Sequence, residues 1–131
     1  MTTTIDAMKE SNFGEMISRY APDEMNKELF ADLRVFIDEN GDFWFIGSEV
    51  ASTMGYENPR DALARHVPDM YKRDSVVKRD GTSGGNPNVI LISELGLYAL
   101  VMRSKLPKAY QFQDWVYGVL TKIRQCGVVV I

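Results

Sequence analysis

The segment I-S-E-L-G-L-Y-A-L-V-M-R-S-K, residues Ile92 to Lys105, decides how the rest of the chain is arranged. Ser93 offers an oxygen to cap a helix N-terminus, and Glu94 places negative charge in the first turn, where the helix dipole is positive. An almost unbroken apolar body follows, and Arg103 and Lys105 close it with positive charge. A helix with so little polar surface has to lie in the middle of a domain. Its basic end then emerges at the surface from a rigid base.

Upstream of this helix the pattern has period two. Leu33, Val35 and Ile37 alternate with Arg34 and Phe36, Asp38-Glu39-Asn40-Gly41 turns the chain, and Asp42 to Ile46 returns. Asn-Gly between β-rich runs is a strong hairpin signal. Ser48 is expected to cap a short helix over 49–54, with Gly55 ending it in the left-handed region. Asn58-Pro59 supplies an N-cap and a first helical residue for a second helix whose Ala62, Leu63 and Val67 face inward and which Pro68 stops. Two extended pieces, 75–79 and 88–92, flank a run of glycines and small polar residues at 80–87 that reads as a mobile hairpin tip. That run lacks a Gly-Lys-Ser/Thr ending, so it does not read as a phosphate-cradling loop.

Downstream, Pro107 opens a last helix. Phe112, Trp115, Val116, Val119, Leu120 and Ile123 recur at helical spacing, and the expectation is a stripe packed on the core, with Trp115 and Leu100 buried against each other's helices. Gly127 ends this helix, and Val128 to Ile131 suits an edge strand. Residues 1 to 28 read as an acidic N-terminal arm or pair of short helices, broken at Gly14 and Pro22, attached to a main domain over 29–131. The fold class is α+β, in the order ββ-αα-ββ-αα with an N-terminal helical arm.

At 131 residues, 45% hydrophobic and 25% charged, the chain has enough material for one core. No apolar run approaches the roughly 18 residues that a membrane span needs. The N-terminus lacks a basic-then-apolar secretion pattern, so a cytoplasmic location is expected. The lone Cys126 excludes an internal disulfide and any cysteine-rich zinc site. Net charge is −3, but residues 1 to 58 carry four basic and twelve acidic side chains, whereas 59 to 131 carry eleven basic and six acidic. Such asymmetry hints at a polyanion-binding face in the second half, the alternative being two ordinary solvated surfaces.

No catalytic set assembles. One histidine, no His-x-x-x-His or Cys-x-x-Cys and no Gly-x-Ser-x-Gly elbow leave neither a nucleophile pair nor a metal site, and no enzyme activity or cofactor is expected. The pair of short helices around Gly55 has the form of a helix-turn-helix, although Tyr56-Glu57-Asn58-Pro59 lengthens the turn. Arg60 and Arg65 on its second helix are candidates for base contacts. Lys72, Arg73, Lys78 and Arg79 flank the second hairpin and Arg103 and Lys105 a helix junction; these are candidates for phosphate contacts, which fix orientation.

Three ordered blocks carry a family resemblance. The first holds Trp44, Phe45, Val50, Ala51, Gly55, Tyr56, Asn58, Ala62, Leu63, His66 and Val67. The second is Ser93-Glu94 with Gly96 to Leu100 and Arg103-Ser104-Lys105, and the third Ala109, Phe112, Trp115, Val116, Ile123, Arg124 and Gly127. Over residues 30 to 127 the chain resembles the Bro-N domain found at the N-terminus of baculovirus repeated-ORF proteins and of many phage antirepressors. The resemblance implies binding to double-stranded DNA and an antirepressor-like role in the lysis–lysogeny switch. Gln113 and Asp114 stand where relatives often carry basic residues before the Trp, which weakens one phosphate contact in that expectation.

Two functions follow. The first is a DNA-binding regulator acting as a homodimer, with the tail Val128 to Ile131 or the stripe Ile5, Met8, Phe13, Met16 and Ile17 packed across a two-fold axis. The second is a module that binds a phage repressor or another protein without DNA, a reading that the acidic first 28 residues favour.

Overall fold

Strands with alternating burial need a sheet that has one face on the core. The computed structural model, which describes residues 3–17, 19, 28–76 and 88–127, provides one. β3 (Arg34–Ile37) and β4 (Phe43–Ile46) form the hairpin, antiparallel with Phe36 opposite Trp44. The Asp38 carboxylate holds the turn by accepting the Asn40 and Asp42 backbone N–H groups, each at 2.9 Å. β5 (Lys72–Val76) and β6 (Asn88–Ser93) form a second antiparallel pair, and β6 also pairs with β4. Residues 77–87, with Lys78, Arg79 and the glycine-rich run, lie outside the described residues, as does the tail 128–131.

From Arg34 onward the elements run strand–strand–helix–helix twice. The first hairpin is followed by α2 (Gly47–Thr53) and α3 (Pro59–His66), the second by α4 (Glu94–Val101) and α5 (Pro107–Cys126). The domain is α+β, as the period-two and period-3.6 stretches required. α4 is central: Leu97, Leu100 and Val101 have no exposed surface, although Leu95 points outward at 57%. Ser93 caps it by accepting the Gly96 N–H, and Asn58 caps α3 by accepting that of Asp61 at 3.1 Å. Ser48 caps nothing: α2 begins two residues earlier than expected, at Gly47, with Ile46 in the cap position and no side-chain bond.

The N-terminal segment departs most from its helical-arm reading. β1 (Thr3–Thr4) pairs parallel with β5, and β2 (Lys9–Asn12) pairs antiparallel with β3, so residues before 13 supply both edges of a six-stranded sheet in the order β1-β5-β6-β4-β3-β2. The short helix α1 (Phe13–Ile17) then drives Phe13 into the core. There its ring meets Phe30 and Phe45 edge-on, with centroids 5.1 and 5.0 Å away. A Cβ on Gly14 would stand 2.8 Å from the Phe30 carbonyl oxygen, so this glycine serves close backbone approach and breaks no helix. Ile5 covers the sheet's other face in a smaller cluster with Phe36, Ile46 and Leu91. Ile5 and the buried side of Phe13 are thus spent inside the chain, which leaves Met8, Met16 and Ile17 as the partly exposed members of that stripe.

The last helix also differs from expectation. Only its first half touches the core: Ala109 and Phe112 are buried, whereas Trp115 is 37% and Leu120 56% exposed. The apolar period is real, but the helix is longer than the layer beneath it, and the described core offers nothing for Leu120 to cover. Phe112 is the anchor, with its ring 5.4 Å from Phe30 and 6.1 Å from Tyr98. Phe112→Ala is expected to destabilise the fold by about 3–5 kcal/mol, the range for large core truncations. Trp115→Ala is expected to cost roughly 1 kcal/mol, as for partly exposed positions. Urea midpoints for the two variants check this; equal losses would contradict the placement.

Candidate nucleic-acid interface

Five residues, 54–58, separate α2 from α3. Gly55 turns the chain there with φ +84°, a conformation that side chains other than glycine's rarely adopt. Its N–H donates to Ser52 O, and that of Tyr56 to Ala51 O. Val50, Ala51, Ala62 and Leu63 bury the facing sides of the two helices. The turn is longer than the three or four residues of a standard helix-turn-helix.

This turn is tied to the α4–α5 junction by side chains whose pattern in the sequence assigns them no role. The Tyr56 hydroxyl donates to Leu100 O at 2.7 Å, and the Ser104 hydroxyl donates to Met54 O at 2.7 Å while accepting the Leu106 N–H at 3.2 Å. From the far side, buried Gln113 donates to Val101 O at 2.9 Å and Ser104 O at 3.1 Å. Gln113 is therefore a junction clamp facing inward, and its want of charge takes nothing from the surface. Its signal in the sequence was a polar residue directly beside Phe112 on the inward face of the last helix.

Ser104 is buried, and its neighbours Arg103 and Lys105 are forced outward on either side. Both line a groove of about 770 Å³ with the 55–58 turn, Asp61, Ala62 and His66. Neither side chain forms an ion pair or hydrogen bond with a described residue. Arg103 lies close enough to Tyr56 to pull its phenol pKa down against burial, which pushes it up and prevails.

The other expected contacts are divided among separate surfaces. Arg60 and Arg65, five residues apart, stand about 140° from each other around α3, on opposite edges of its exposed face. Arg65 is on the groove side, where it donates to Asp61 at 3.0 Å; Arg60 is unpaired among the described residues. Lys72 and Arg73 are consecutive in β5 and so face opposite sides of the sheet. Lys72 lies on the helix side, 3.5 Å from Asp69. Arg73 lies on the other, its guanidinium 4.3 Å from the Trp44 ring centre. The structure therefore brings Arg103 and Lys105 together with His66 and Asn58, ties Arg65 to the groove only through Asp61, and leaves Arg60, Lys72 and Arg73 apart.

The family model described as "BRO family, N-terminal domain" matches residues 32–122, and the chain belongs to this Bro-N family. That family is a DNA-binding or regulatory type of domain and is not a known enzyme family. An uncharacterized protein of Haemophilus influenzae is 39% identical over 102 residues, covering 75% of this chain and 49% of the relative. The "Uncharacterized Bro-N domain-containing protein ORF2" of Autographa californica nuclear polyhedrosis virus is 30% identical, covering 65% of this chain and 30% of its own length. The "Putative Bro-N domain-containing protein 201R" of Invertebrate iridescent virus 6 is 34% identical, covering 66% and 25%. The chain thus spans half or less of these relatives. No solved structure matches it. No helix among the described residues is long and apolar enough to cross a membrane.

The Arg73–Trp44 stack carries its own acid sensitivity. The Trp44 indole N–H donates to the Asp38 carboxylate at 3.0 Å. That bond first, then backbone N–H groups and Arg73, hold the Asp38 pKa below its ordinary value. A depressed carboxylate pKa adds stability that is present above the unfolded value of about 3.9 and is lost as pH falls through the folded one. Asp38→Asn should accordingly lower the melting temperature at pH 7 and narrow its gap to wild type as pH drops below about 4. A gap that does not change with pH would contradict this assignment.

Proposed function

We propose that this Bro-N domain is a regulator that binds double-stranded DNA, with an antirepressor-like role in the switch between lysis and lysogeny. The observation that carries this reading is the pair Arg103 and Lys105, unpaired among the described residues and held outward on a bonded junction beside the α2–α3 pair. Cations on a rigid base need no backbone ordering when they meet phosphates, and phosphate contacts of this kind set orientation. The family's DNA-binding type supports the same reading. Arg60 and Arg65 are the proposed base contacts, since arginine forms two parallel hydrogen bonds to a guanine edge. Lys72, Arg73, Lys78 and Arg79 are proposed as further phosphate contacts, with Lys72 and Arg73 reaching separate strands or only one of them taking part. No cofactor is invoked.

A second reading, a module that binds a protein partner such as a phage repressor without DNA, is favoured by one feature. An apolar groove of about 580 Å³ runs between Phe13, Phe43, Met102, Phe112, Trp115 and Val116. The same face of α5 continues outward to exposed Leu120. We propose that a second copy of the chain covers part of this surface in a homodimer, a symmetry that also suits paired half-sites on DNA.

Fluorescence anisotropy with duplex DNA over a salt series separates the readings. Log affinity should fall linearly with log salt. Combined Arg103→Ala and Lys105→Ala should flatten the slope by about 1 for each phosphate that is no longer neutralised, equally for all sequences. Arg60→Ala or Arg65→Ala should instead relax sequence preference by about 1–3 kcal/mol for each base pairing removed. Absence of duplex binding by wild type at low salt would reject the DNA reading in favour of the protein-partner one.

A further inference from the structure

His66 is the one histidine of the chain, and nothing in the proposed DNA-contacting set uses it. It closes the floor of the groove between the α2–α3 turn and the α4–α5 junction. Its ring is tilted against that of Tyr56, with centroids 5.6 Å apart, and the Tyr56 hydroxyl is already committed to Leu100 O. Among the described residues, Nδ1 of His66 is the buried side-chain nitrogen or oxygen that lacks a hydrogen-bond partner. Nε2 is not in that condition, no hydrogen bond joins it to a described residue, and the ring lines the groove.

These facts fix a tautomer. A neutral imidazole carries one N–H and one bare nitrogen. Burying an N–H with no acceptor forfeits a full hydrogen bond, whereas an unfilled lone pair is tolerated better. In the neutral form the proton is therefore better placed on Nε2, where it presents a donor to the groove. Three donors then line one concave surface: the Nε2–H of His66, the guanidinium of Arg103 and the ammonium of Lys105. The nearest opposing charge is split. Asp61 is engaged by Arg65, and Glu57 stands in the turn at the groove's edge.

We infer that this groove is a phosphate-ester site, in which Arg103 and Lys105 supply charge and His66 supplies an oriented Nε2–H donor. The inference deepens the DNA reading above by placing a phosphate in the concave groove and not on the outer face of α3. A phosphate ester reaches such a site either as part of a nucleic-acid backbone or as a free nucleotide, and the shared chemistry is what the three donors recognise. The role of His66 is directional. Two flexible cations bind an anion anywhere within their reach, while a ring wedged against Tyr56 with one nitrogen sealed offers its N–H along one line.

The test uses the intact protein and two probes, a duplex DNA fragment and adenosine 5′-monophosphate. Long-range proton–nitrogen NMR of the single histidine should show the Nε2–H tautomer, and its Nε2 resonance should shift on addition of at least one probe. A shift with the duplex identifies a backbone phosphate; a shift with the mononucleotide alone identifies a free ester and sets the DNA reading aside while the groove assignment stands. His66→Gln, whose amide N–H reaches to the place of Nε2, should keep the affinity, and His66→Leu should weaken it about three- to tenfold. Duplex binding with an unmoved His66 resonance would overturn the inference and leave the DNA reading intact. A proton found on Nδ1, or no shift with either probe, would also overturn it. The resonance measurement is made on wild type, so it decides the matter even where His66→Leu fails to fold.

Discussion

The α4–α5 junction is the constraint on which the rest of this domain depends. A chain leaving the most buried helix has to reverse, and reversal exposes backbone carbonyls that a core cannot leave bare. Here side chains from three directions answer them. Gln113 returns from α5 to take the carbonyls of Val101 and Ser104, Tyr56 takes that of Leu100, and the Ser104 hydroxyl reaches across to that of Met54. The same bonds that satisfy the reversal join the two helix pairs. A buried polar network of this sort is costly when partly made and rigid when complete. Because Ser104 must point inward, Arg103 and Lys105 point outward, and the charged face follows from the packing.

Much of this was legible in the sequence because local rules and the global arrangement agree. The Asn40-Gly41 turn, the Ser93 and Asn58 caps, Pro59 and Pro107 in first helical turns and Gly55 at a left-handed turn all occur where their chemistry suggests. What was not legible is instructive in each case. Residues 3–4 and 9–12 are short and polar, and they are strands only because two sheet edges are open to them; no periodicity in four residues announces that. Phe13 was one apolar residue among several until its ring found Phe30 and Phe45, residues distant in sequence.

The candidate site was half visible. Counting cations found Arg103 and Lys105 but had no means to tell them from Arg73, which stacks on Trp44 across the sheet, or from Lys72, which faces the opposite way. Gln113 was read for the charge it lacks and Ser104 only as a position of the family resemblance, since the hydrogen bonds of an interior clamp are set by tertiary packing. The stripe on α5 shows the converse failure. Its spacing is that of a core helix, yet a period states which residues share a face and not how far the neighbouring layer extends. Beyond Val116 the described core ends, leaving Leu120 exposed for a partner or for solvent.

The central claim is that the junction network, more than the number of cations, makes the groove a binding surface. Ser104→Ala tests it most directly, because it removes one buried hydroxyl and no charge. Leaving the Met54 carbonyl and the Leu106 N–H without that partner is expected to destabilise the fold by about 1–3 kcal/mol. The variant should still unfold cooperatively and should bind duplex DNA severalfold more weakly, with a flatter salt dependence, than the wild-type protein. An unchanged affinity and salt slope in a folded Ser104→Ala protein would contradict the account.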